Sequence, residues 1–411
     1  MSHYQNFEPP FEIPDSWQWA QVNDITTSIL YGVSESAKSQ GEYKLLRITD
    51  IQDNSVNWAN VPYTDFNKNK AAQYLLQNGD IVFARTGATV GKSYLVESIP
   101  SNSIYASYLI RIRTNEEILP EYLKIFFEST FYWQQIFEGT VGIGQPNVNG
   151  TSLGLLWLPI PPRNEQRRIV SNTQDLTLYV TSMEYSKKAI NESIIQIKSK
   201  ILELAMQGKL VPQDQSDEPA AEMLKRINPK ANIITDNPHS WNIPSNWTWI
   251  SVKDVFKPME RKLPSGNQFL YIDIDSIDNK NNTVIPKTIS VKTAPSRASR
   301  KTIKGDIVFS MVRPYLKNIA IVPEDDCIAS TGFYVLSCTP SIDPQFAFQI
   351  AISDFFVQGL NLYMKGDNSP SINKDNIENY VIPLPPMKEQ KRIVAKIEEI
   401  FSCLGEIEAS L

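Results

Sequence analysis

Two stretches of the sequence, WLPIPPRNEQRRIV at residues 157–170 and VIPLPPMKEQKRIV at residues 381–394, repeat one pattern at a spacing of 224 residues. Each begins with an extended apolar segment that ends in two prolines, and each continues into a polar run that contains Glu-Gln. Because the fixed φ angle of proline suits the first turn of a helix, both polar runs are predicted to start helices. The predicted helices extend from about Asn164 to Met206 and from about Met387 to Leu411.

Apolar residues in both predicted helices recur in alternating steps of three and four, which is the period of a coiled coil. Ordinary amphipathic helices at domain edges are the alternative, but the unbroken alternation in the first helix favours the coiled coil. At ~1.5 Å per residue the first helix would be about 64 Å long, which suits a spacer or a clamp. The predicted seam comprises Ile169, Leu176, Val180, Met183, Ile190, Ile194, Ile197, Ile201 and Leu204 in the first helix and Ile393, Ile397, Ile400, Leu404 and Ile407 in the second.

Composition limits the classes of function. The 411 residues suffice for two or three domains, and no run of eighteen apolar residues predicts a membrane span. The polar N-terminus predicts no signal peptide, so we expect a cytoplasmic protein. Cys327, Cys338 and Cys403 lack the spacing of a zinc site, and two histidines argue against a His-based catalytic triad. A net charge of −5 does not by itself indicate a nucleic-acid binder.

Other segments also occur twice. IPDSWQWAQVNDI at 13–25 matches IPSNWTWISVKDV at 243–255, and GDIVF at 79–83 recurs letter for letter at 305–309. The chain is therefore predicted to be a tandem duplication. The repeated tryptophans are expected to pack inside the domains rather than to stack on bases. Each GDIVF is expected to be a turn that feeds a buried strand.

The segments that follow the two copies of GDIVF differ. The first reads ARTGATVGK at 84–92 and the second SMVRPYLKN at 310–318. A shared framework with unlike loops is what a duplicated recognition domain should have once its copies bind different targets. GATVGKS has three residues between its glycines where a P-loop has four, and a strand-like segment follows it, so nucleotide binding is disfavoured.

Basic residues gather near these loops in both repeats, either to contact phosphates or as an ordinary solvated face. Polar turns at 144–149 and 368–373 carry Asn and Gln side chains, which could read adenine or cap helices; both interpretations stay open. The candidate DNA-binding residues are Arg85, Thr86, Lys92, Gln145, Asn147, Asn149, Arg297, Arg300, Lys301, Arg313, Tyr315, Lys317, Asn318, Asn368, Ser371 and Asn373.

The two helix starts, the segment ILELAMQGKLVPQDQSDEPAAEMLKRI at 201–227 and the two diverged repeats resemble the specificity subunits of type I restriction–modification systems. The resemblance implies an α+β fold, with two tandem mixed α/β target recognition domains separated by long helices that form an antiparallel coiled coil. The expected segments are a first recognition domain at 1–162, a central helix at 163–210, a linker with a short helix at 211–240, a second recognition domain at 241–386 and a C-terminal helix at 387–411.

The same resemblance implies a non-catalytic subunit. Each domain would read one half of a bipartite, asymmetric site in double-stranded DNA, while the helices set the spacing and dock two methylase subunits. S-adenosylmethionine would then belong to the methylase partner, and ATP and Mg to a restriction partner, with no cofactor and no membrane contact for this chain. The alternative is a specificity or adaptor subunit of a related methylation-only or phage-defence complex.

Two rivals from other classes are disfavoured. A single-chain methyltransferase-nuclease would need cofactor and nuclease motifs that the sequence lacks. A coiled-coil adaptor without a DNA role would not explain basic segments at corresponding places in both repeats. The second helix is also much shorter than the first. Running antiparallel, it should cover only about Ser182–Met206 and leave the seam from Ile169 to Val180 for another partner.

Overall fold

The computed structural model describes residues 8–87, 89–138 and 148–411. Contacts within the chain divide it into two units, Met1–Met183 and Glu184–Leu411, with the boundary inside one long helix. We refer to them as unit 1 and unit 2 and describe each by itself. Among the described residues, no helix has both the length and the apolar character that a membrane span requires.

Unit 1 contains a four-stranded sheet in the order β2-β10-β7-β8, a three-stranded sheet in the order β6-β3-β9, and the pairs β1-β11 and β4-β5. Its strands are β1 (Gln18–Gln21), β2 (Thr26–Tyr31), β3 (Tyr43–Leu46), β4 (Ile51–Gln52), β5 (Ser55–Val56), β6 (Tyr63–Thr64), β7 (Ile81–Ala84), β8 (Ser93–Leu95), β9 (Ser103–Tyr105), β10 (Leu109–Thr114) and β11 (Trp157–Ile160). Its helices are α1 (Lys68–Ala71), α2 (Pro120–Phe126), α3 (Thr130–Glu138), α4 (Gly150–Gly154) and the start of α5 (Arg163–Met206).

Unit 2 contains the end of α5 and the following elements. The strands are β12 (Ile233–Ile234), β13 (Thr248–Ser251), β14 (Phe256–Lys257), β15 (Gln268–Ile272), β16 (Ile277–Asp278), β17 (Thr283–Val284), β18 (Lys287–Ser290), β19 (Ala298–Lys301), β20 (Ile307–Ser310), β21 (Ile319–Ile321), β22 (Cys327–Ser330), β23 (Phe333–Cys338) and β24 (Val381–Leu384). The helices are α6 (Ala220–Ile227), α7 (Val252–Val255), α8 (Pro344–Ile352), α9 (Asp354–Asn361), α10 (Lys374–Glu378) and α11 (Met387–Ser410).

The duplication predicted from short motifs extends to strand order. The sheet β14-β23-β20-β21 of unit 2 reproduces β2-β10-β7-β8 of unit 1, and each GDIVF supplies a central strand, β7 or β20. A parallel pair inside an otherwise antiparallel sheet also occurs in both, as β3 with β9 and as β15 with β22. The predicted α+β class with two mixed units and a long helix is therefore confirmed.

The aromatic helical segments at 121–138 in unit 1 and 345–363 in unit 2 contribute side chains to the core. In unit 1 the rings of Phe83, Phe127 and Tyr132 pack edge to face, with centroids of Phe83 and Phe127 4.6 Å apart. In unit 2 Phe309 of β20 packs on Phe356 of α9 with a centroid distance of 5.5 Å. These contacts fix helices on one face of each four-stranded sheet, because close-packed aromatic pairs bury much apolar surface.

The repeated tryptophans pack inside the units, as expected. Trp19 forms an aromatic cluster with Phe11 and Phe131, and its ring centroid lies 5.0 Å from that of Phe11. The equivalent Trp249 packs on Trp241 in unit 2, with ring centroids 4.9 Å apart. These contacts anchor the first strand of each repeat and leave neither indole as an exposed platform for bases.

The polar segment 228–240, expected to be part of a linker, is folded onto unit 2. It contains β12, which pairs with β13 in antiparallel register. His239 packs between aromatic side chains, with its ring centroid 4.9 Å from that of Trp249, and its Nε2 lies 3.1 Å from the Val381 carbonyl oxygen. Local polarity did not reveal this pairing because strand partners are distant in sequence.

Candidate nucleic-acid interface

The glutamine of each repeated Glu-Gln pair joins a long helix to its globular unit. Gln166 is buried, accepts a hydrogen bond from the Leu119 backbone N–H at 2.8 Å and donates to the Pro161 carbonyl at 3.0 Å. Gln390 is buried too and makes the equivalent bonds to the Asp343 N–H at 2.7 Å and to the Pro385 carbonyl at 3.0 Å. The repeated motif is therefore a structural clamp at the base of α5 and of α11.

The glutamate of the pair connects the same helix starts to the repeated tryptophans. Glu165 accepts a hydrogen bond from the indole Nε1 of Trp17 at 3.1 Å. Glu389 is fully buried and accepts one from the Gln213 amide at 2.5 Å. Burial raises the pKa of Glu389, and the neighbouring Trp247 and Gln213 side chains oppose that rise. The glutamate of each Glu-Gln pair thus lies beside the first tryptophan of a Trp-x-Trp motif, Trp17 in unit 1 and Trp247 in unit 2.

Within unit 2, α11 runs antiparallel to the C-terminal part of α5. The Lys187 ammonium donates to the carbonyl oxygen of Leu411 at 2.6 Å, and Lys198 forms an ion pair with Glu408 at 3.2 Å. Closer to the base of the helices, side chains of α5 and α11 share one buried cluster, comprising Ile194, Ile201, Ile393, Ile397 and Leu404 among others. The shorter helix therefore reaches back along α5 as far as Lys187.

The predicted heptad seam and the buried face of α5 overlap only in part. Ile194 and Ile201 are buried, but Ile190 and Ile197 are 39% and 45% exposed. The buried face instead includes Leu202, Ala205 and Met206, while Leu204 and Ile400 are half-buried and Ile407 is exposed. The reason is that this part of α5 packs on the domain core as well as on α11, so its apolar face is broader than a two-helix seam.

The N-terminal half of α5 carries an apolar stripe that faces solvent. Leu176, Val180 and Met183, at heptad positions, are 64%, 54% and 71% exposed, and Tyr179 beside them is exposed as well, whereas Leu178 and Tyr185 are exposed on the opposite face of the helix. No described residue of the chain covers them. Ile169, at the start of the stripe, is half-buried. Contiguous exposed apolar surface of this kind marks a site of protein association.

The loop after β7 places two of the three candidate residues at a cleft. Thr86 and Lys92 line it, whereas the Arg85 guanidinium lies over the Tyr31 ring at 4.9 Å from its centroid. Asn149 caps α4 by accepting a hydrogen bond from the Ser152 N–H at 2.8 Å. Gln145 and Asn147 lie outside the described residues.

The corresponding loop after β20 is held by internal contacts. Arg313 and Lys317 have left-handed φ angles of 48° and 50° and flank a short 3-10 turn. Arg313 donates to the carbonyl of Asn368 at 2.8 Å, and Lys317 forms an ion pair with Asp354 at 2.8 Å. Burial alone would raise the pKa of Asp354, but the hydrogen bonds from Lys317 and Ser199 hold that pKa below its usual value.

The remaining candidates of unit 2 have mixed surroundings. Tyr315 and Arg297 are exposed, whereas Asn318 is buried and Ser371 pairs through its backbone with Lys365. Asn373 caps α10 by accepting from the Asn376 N–H at 3.0 Å, so the structure gives Asn149 and Asn373 the same capping role.

The basic segment at 297–301 is partly compensated by acids. Lys301 forms an ion pair with Glu260 at 2.6 Å, and that hydrogen bond lowers the pKa of Glu260. Arg300 is half-buried in β19, where its backbone pairs with that of Arg261. Arg297 is therefore the candidate of this group that is best placed to meet an anionic ligand, because it is exposed and lies before the strand.

Sequence reasoning missed the β4–β5 hairpin, which forms the wall of the cleft opposite Thr86. A signal was present, because Asp53-Asn54 between two short apolar-polar pairs is typical of a two-residue hairpin turn. Both residues have positive φ angles, 48° and 57°, as such a turn requires.

A sequence model of the type I restriction modification DNA specificity domain matches residues 14–193 and 244–410. A putative type I restriction enzyme specificity subunit from Methanocaldococcus jannaschii is 22% identical over 95% of this chain and 88% of its own length. The EcoKI specificity subunit of Escherichia coli strain K12 is 21% identical over 97% of this chain and 84% of its own.

Solved structures share the fold. A chain from a structure that addresses complex assembly and conformational transition of a type I R-M system aligns with a TM-score of 0.66 at 21% identity, covering 98% of this chain and 94% of that one. The crystal structure of the HsdS subunit from Thermoanaerobacter tengcongensis aligns with a TM-score of 0.62 at 20% identity, covering 98% and 93%. With the family match covering both repeats, the chain belongs to the DNA specificity subunits of type I restriction–modification systems.

Proposed function

We propose that each unit reads one half of a bipartite, asymmetric DNA site and that the chain itself performs no catalysis. The observation that carries this proposal is the duplicated strand order with unlike loops after β7 and β20. Two copies of one framework can present two different surfaces to DNA, and base edges in the major groove distinguish all four base pairs. S-adenosylmethionine would be bound by the methylase partner, and ATP and Mg by a restriction partner.

The test is an exchange of residues 1–162 for those of a relative, followed by methylome sequencing of cells that carry the assembled complex. We expect one half of the methylated motif to change and the other half to stay the same. The reciprocal exchange of residues 241–386 is the matched control and should change only the other half. A chimera in which both halves change would contradict independent reading, and methyl transfer by the purified chain alone would contradict the non-catalytic role.

The exposed stripe on α5 supports a docking role for this helix, with two methylase subunits as the proposed partners. A charged side chain in a desolvated apolar contact carries a large cost, so Val180→Glu combined with Met183→Glu should abolish assembly with the methylase. Because both residues are exposed, the melting temperature of the free chain should not fall. Thr181→Glu, on another face of the same helix, is the control and should assemble normally. Assembly of the double variant with unchanged affinity would remove the stripe from the interface.

The helices are also proposed to set the distance between the half-sites. Seven residues inserted after Thr181 return every apolar position to its own face and leave the contacts of α11 intact. The insertion lengthens α5 by about 10 Å, so the spacer in the methylated motif should grow by up to about three base pairs. An active variant with an unchanged spacer would show that another element sets the distance.

A further inference from the structure

A cleft of about 720 Å³ opens in unit 1 between the β4–β5 hairpin and the loop after β7. The hairpin contributes Gln52, Asp53 and Asn54, and the loop contributes Thr86 and Lys92. Side chains of α2 and α3 form the floor, which includes Lys124, Phe127 and Trp133. The cleft thus combines amide and hydroxyl groups with the charged side chains of Asp53, Lys92 and Glu128 and with aromatic rings.

In unit 2 the equivalent hairpin and loop are joined to each other by hydrogen bonds. Its hairpin, β16–β17, has a four-residue turn in place of the two residues of unit 1. Two asparagines of that turn bind the backbone near the loop: Asn279 Nδ2 donates to the Leu316 carbonyl at 2.9 Å, and Asn282 Nδ2 donates to the Ile319 carbonyl at 3.1 Å. Among the described residues of unit 1, no side-chain hydrogen bond joins hairpin to loop.

The floor also differs between the units. At the spacing of 224 residues that relates the repeats, Lys124 and Trp133 correspond to Phe348 and Val357. Lys124 is buried, and its ammonium donates to the Ser93 carbonyl at 3.0 Å and pairs with Glu128 at 2.7 Å. A buried lysine held in this way keeps the floor polar beside Trp133, whereas Val357 makes the equivalent position a closed apolar core.

The chemistry of the cleft matches base edges. Primary amides are the side chains that pair with the N6 and N7 groups of adenine, and lysine donates to O6 and N7 of guanine. Gln52, exposed at the end of β4, and Asn54, exposed in the turn, line the cleft together with Lys92 of the loop. The Gln52 Nε2 donates to the Thr49 carbonyl at 3.0 Å, which leaves its Oε1 and its second N–H for a ligand. Asn54 makes no hydrogen bond through its side chain to any described residue, so its amide is available to a ligand.

We infer that this cleft receives base edges of the DNA and that Gln52 and Asn54 are specificity-determining residues for the half-site read by unit 1. The inference rests on the proposed function, since it requires unit 1 to contact one half-site. It adds an asymmetry: unit 1 reads with its hairpin and its loop, whereas the hairpin of unit 2 supports the loop from within.

The test uses the complete complex assembled with its methylase. The first half-site is identified by the exchange of residues 1–162, and methylation rates are then measured on duplexes with every single substitution in both half-sites. The variants are Gln52→Ala, and Asn54→Gly, which removes the amide but keeps a residue suited to the positive φ angle. Asn281→Ala, in the hairpin turn of unit 2, is the matched control.

We expect each variant to lose roughly 5- to 100-fold of the discrimination at one or two positions of the first half-site, the range of a bidentate base contact. The second half-site should keep its discrimination, and Asn281→Ala should leave the first unchanged. If Gln52→Ala and Asn54→Gly discriminate like the wild type, the inference is wrong although the wild-type complex still reads two half-sites. If the wild-type complex shows no bipartite selectivity, the proposed function itself fails. Gln52 is exposed on a strand, so its variant tests the inference even if the turn variant folds poorly.

Discussion

The GDIVF turn has identical letters in the two units but different partners. In unit 1 the buried carboxylate of Asp80 forms two short bonds with the guanidinium of Arg113, at 2.7 and 2.8 Å. In unit 2 the register places Ser337 opposite, and burial raises the pKa of Asp306 while the hydrogen bonds it accepts, from Ile303 and Ser337, oppose the rise. The identical sequence therefore accompanies the same backbone conformation in both units, whereas the charged and polar groups that stabilise the buried aspartate differ between them.

The loops after the two turns extend the comparison. In unit 2 the loop is fixed by the Lys317–Asp354 ion pair and by two asparagines of the neighbouring hairpin. In unit 1 the loop borders an open cleft. A duplicated framework can thus carry one recognition surface that is preformed by internal contacts and another with space for its ligand.

The largest loss of stability should follow removal of the buried glutamine that each unit has at the start of its helix. Gln166→Ala and Gln390→Ala each remove hydrogen bonds to three main-chain groups, of which that of Pro161 in unit 1 and those of Ser341 and Pro385 in unit 2 belong to buried residues. Each should destabilise its own unit by ~3 kcal/mol, given 1–3 kcal/mol for an unsatisfied buried group and roughly 1 kcal/mol for each other lost hydrogen bond. Differential scanning calorimetry, with the transition of each unit assigned by these variants, gives the measurement. A loss in one variant but not in the other would break the equivalence of the two clamps.

Replacement of the turn aspartate by asparagine should destabilise unit 1 but not unit 2. Asp80→Asn keeps the shape but removes the charge that pairs with Arg113. We expect a loss of about 2–4 kcal/mol, somewhat below the ~3–5 kcal/mol for breaking a fully buried pair, because Arg113 is partly exposed. Asp306→Asn is the matched control and should not destabilise unit 2 at neutral pH, because no arginine pairs with this carboxylate and burial disfavours its charge. Urea unfolding of both variants measures the difference. Equal losses would mean that the Arg113 pair adds nothing to the turn.

Lysines of the two loops should contribute unequally to DNA affinity. Lys92 is exposed and has no ion pair among the described residues, so Lys92→Ala should flatten the salt dependence of binding by about one unit. Lys317 is already paired with Asp354, and Lys317→Ala should flatten the slope by clearly less. Filter binding by the assembled complex across a range of salt concentrations gives both slopes. A larger change for Lys317→Ala would reverse the comparison.

The smallest effect should be the pH dependence of the stability of unit 2. Because burial raises the pKa of Asp306, the folded unit holds the proton more tightly than the unfolded chain does. Its contribution is therefore greatest below the ordinary carboxyl range and is lost as pH rises through the raised pKa. Asp306→Asn should be at least as stable as the wild type at neutral pH, and this advantage should shrink on acidification. Melting curves between pH 4 and 7 measure the trend; an advantage that grows on acidification would contradict it.

Short sequence motifs predicted those parts of the fold that depend on residues close together in the chain. The prolines and the Glu-Gln runs placed the start of α5 within one residue and that of α11 at Met387, and repeated motifs revealed the duplication. The cleft, the Lys317–Asp354 pair and the strand β12 depend on residues far apart in sequence, which periodicity does not report. The heptad pattern likewise predicted which residues of α5 are apolar but not which of them are covered, because coverage depends on the lengths of the neighbouring helices.

The glutamine clamps have one further consequence. Gln166 bonds to the N–H of Leu119 and to the carbonyls of Glu117 and Pro161, all of which are main-chain atoms. Within the described part of the chain, the hydrogen bonds of Gln390 likewise all go to main-chain atoms. A joint of this kind does not depend on which side chains the adjoining segment carries. A globular unit can therefore accumulate substitutions, or be replaced as a whole, without a matching change at the glutamine, provided that it keeps the side chains that contact the helix start, such as Trp17 on Glu165. Because these glutamine bonds do not depend on the sequence of the unit, a chain of this design can change the DNA sequence that a unit reads while the helices that dock its partners stay the same.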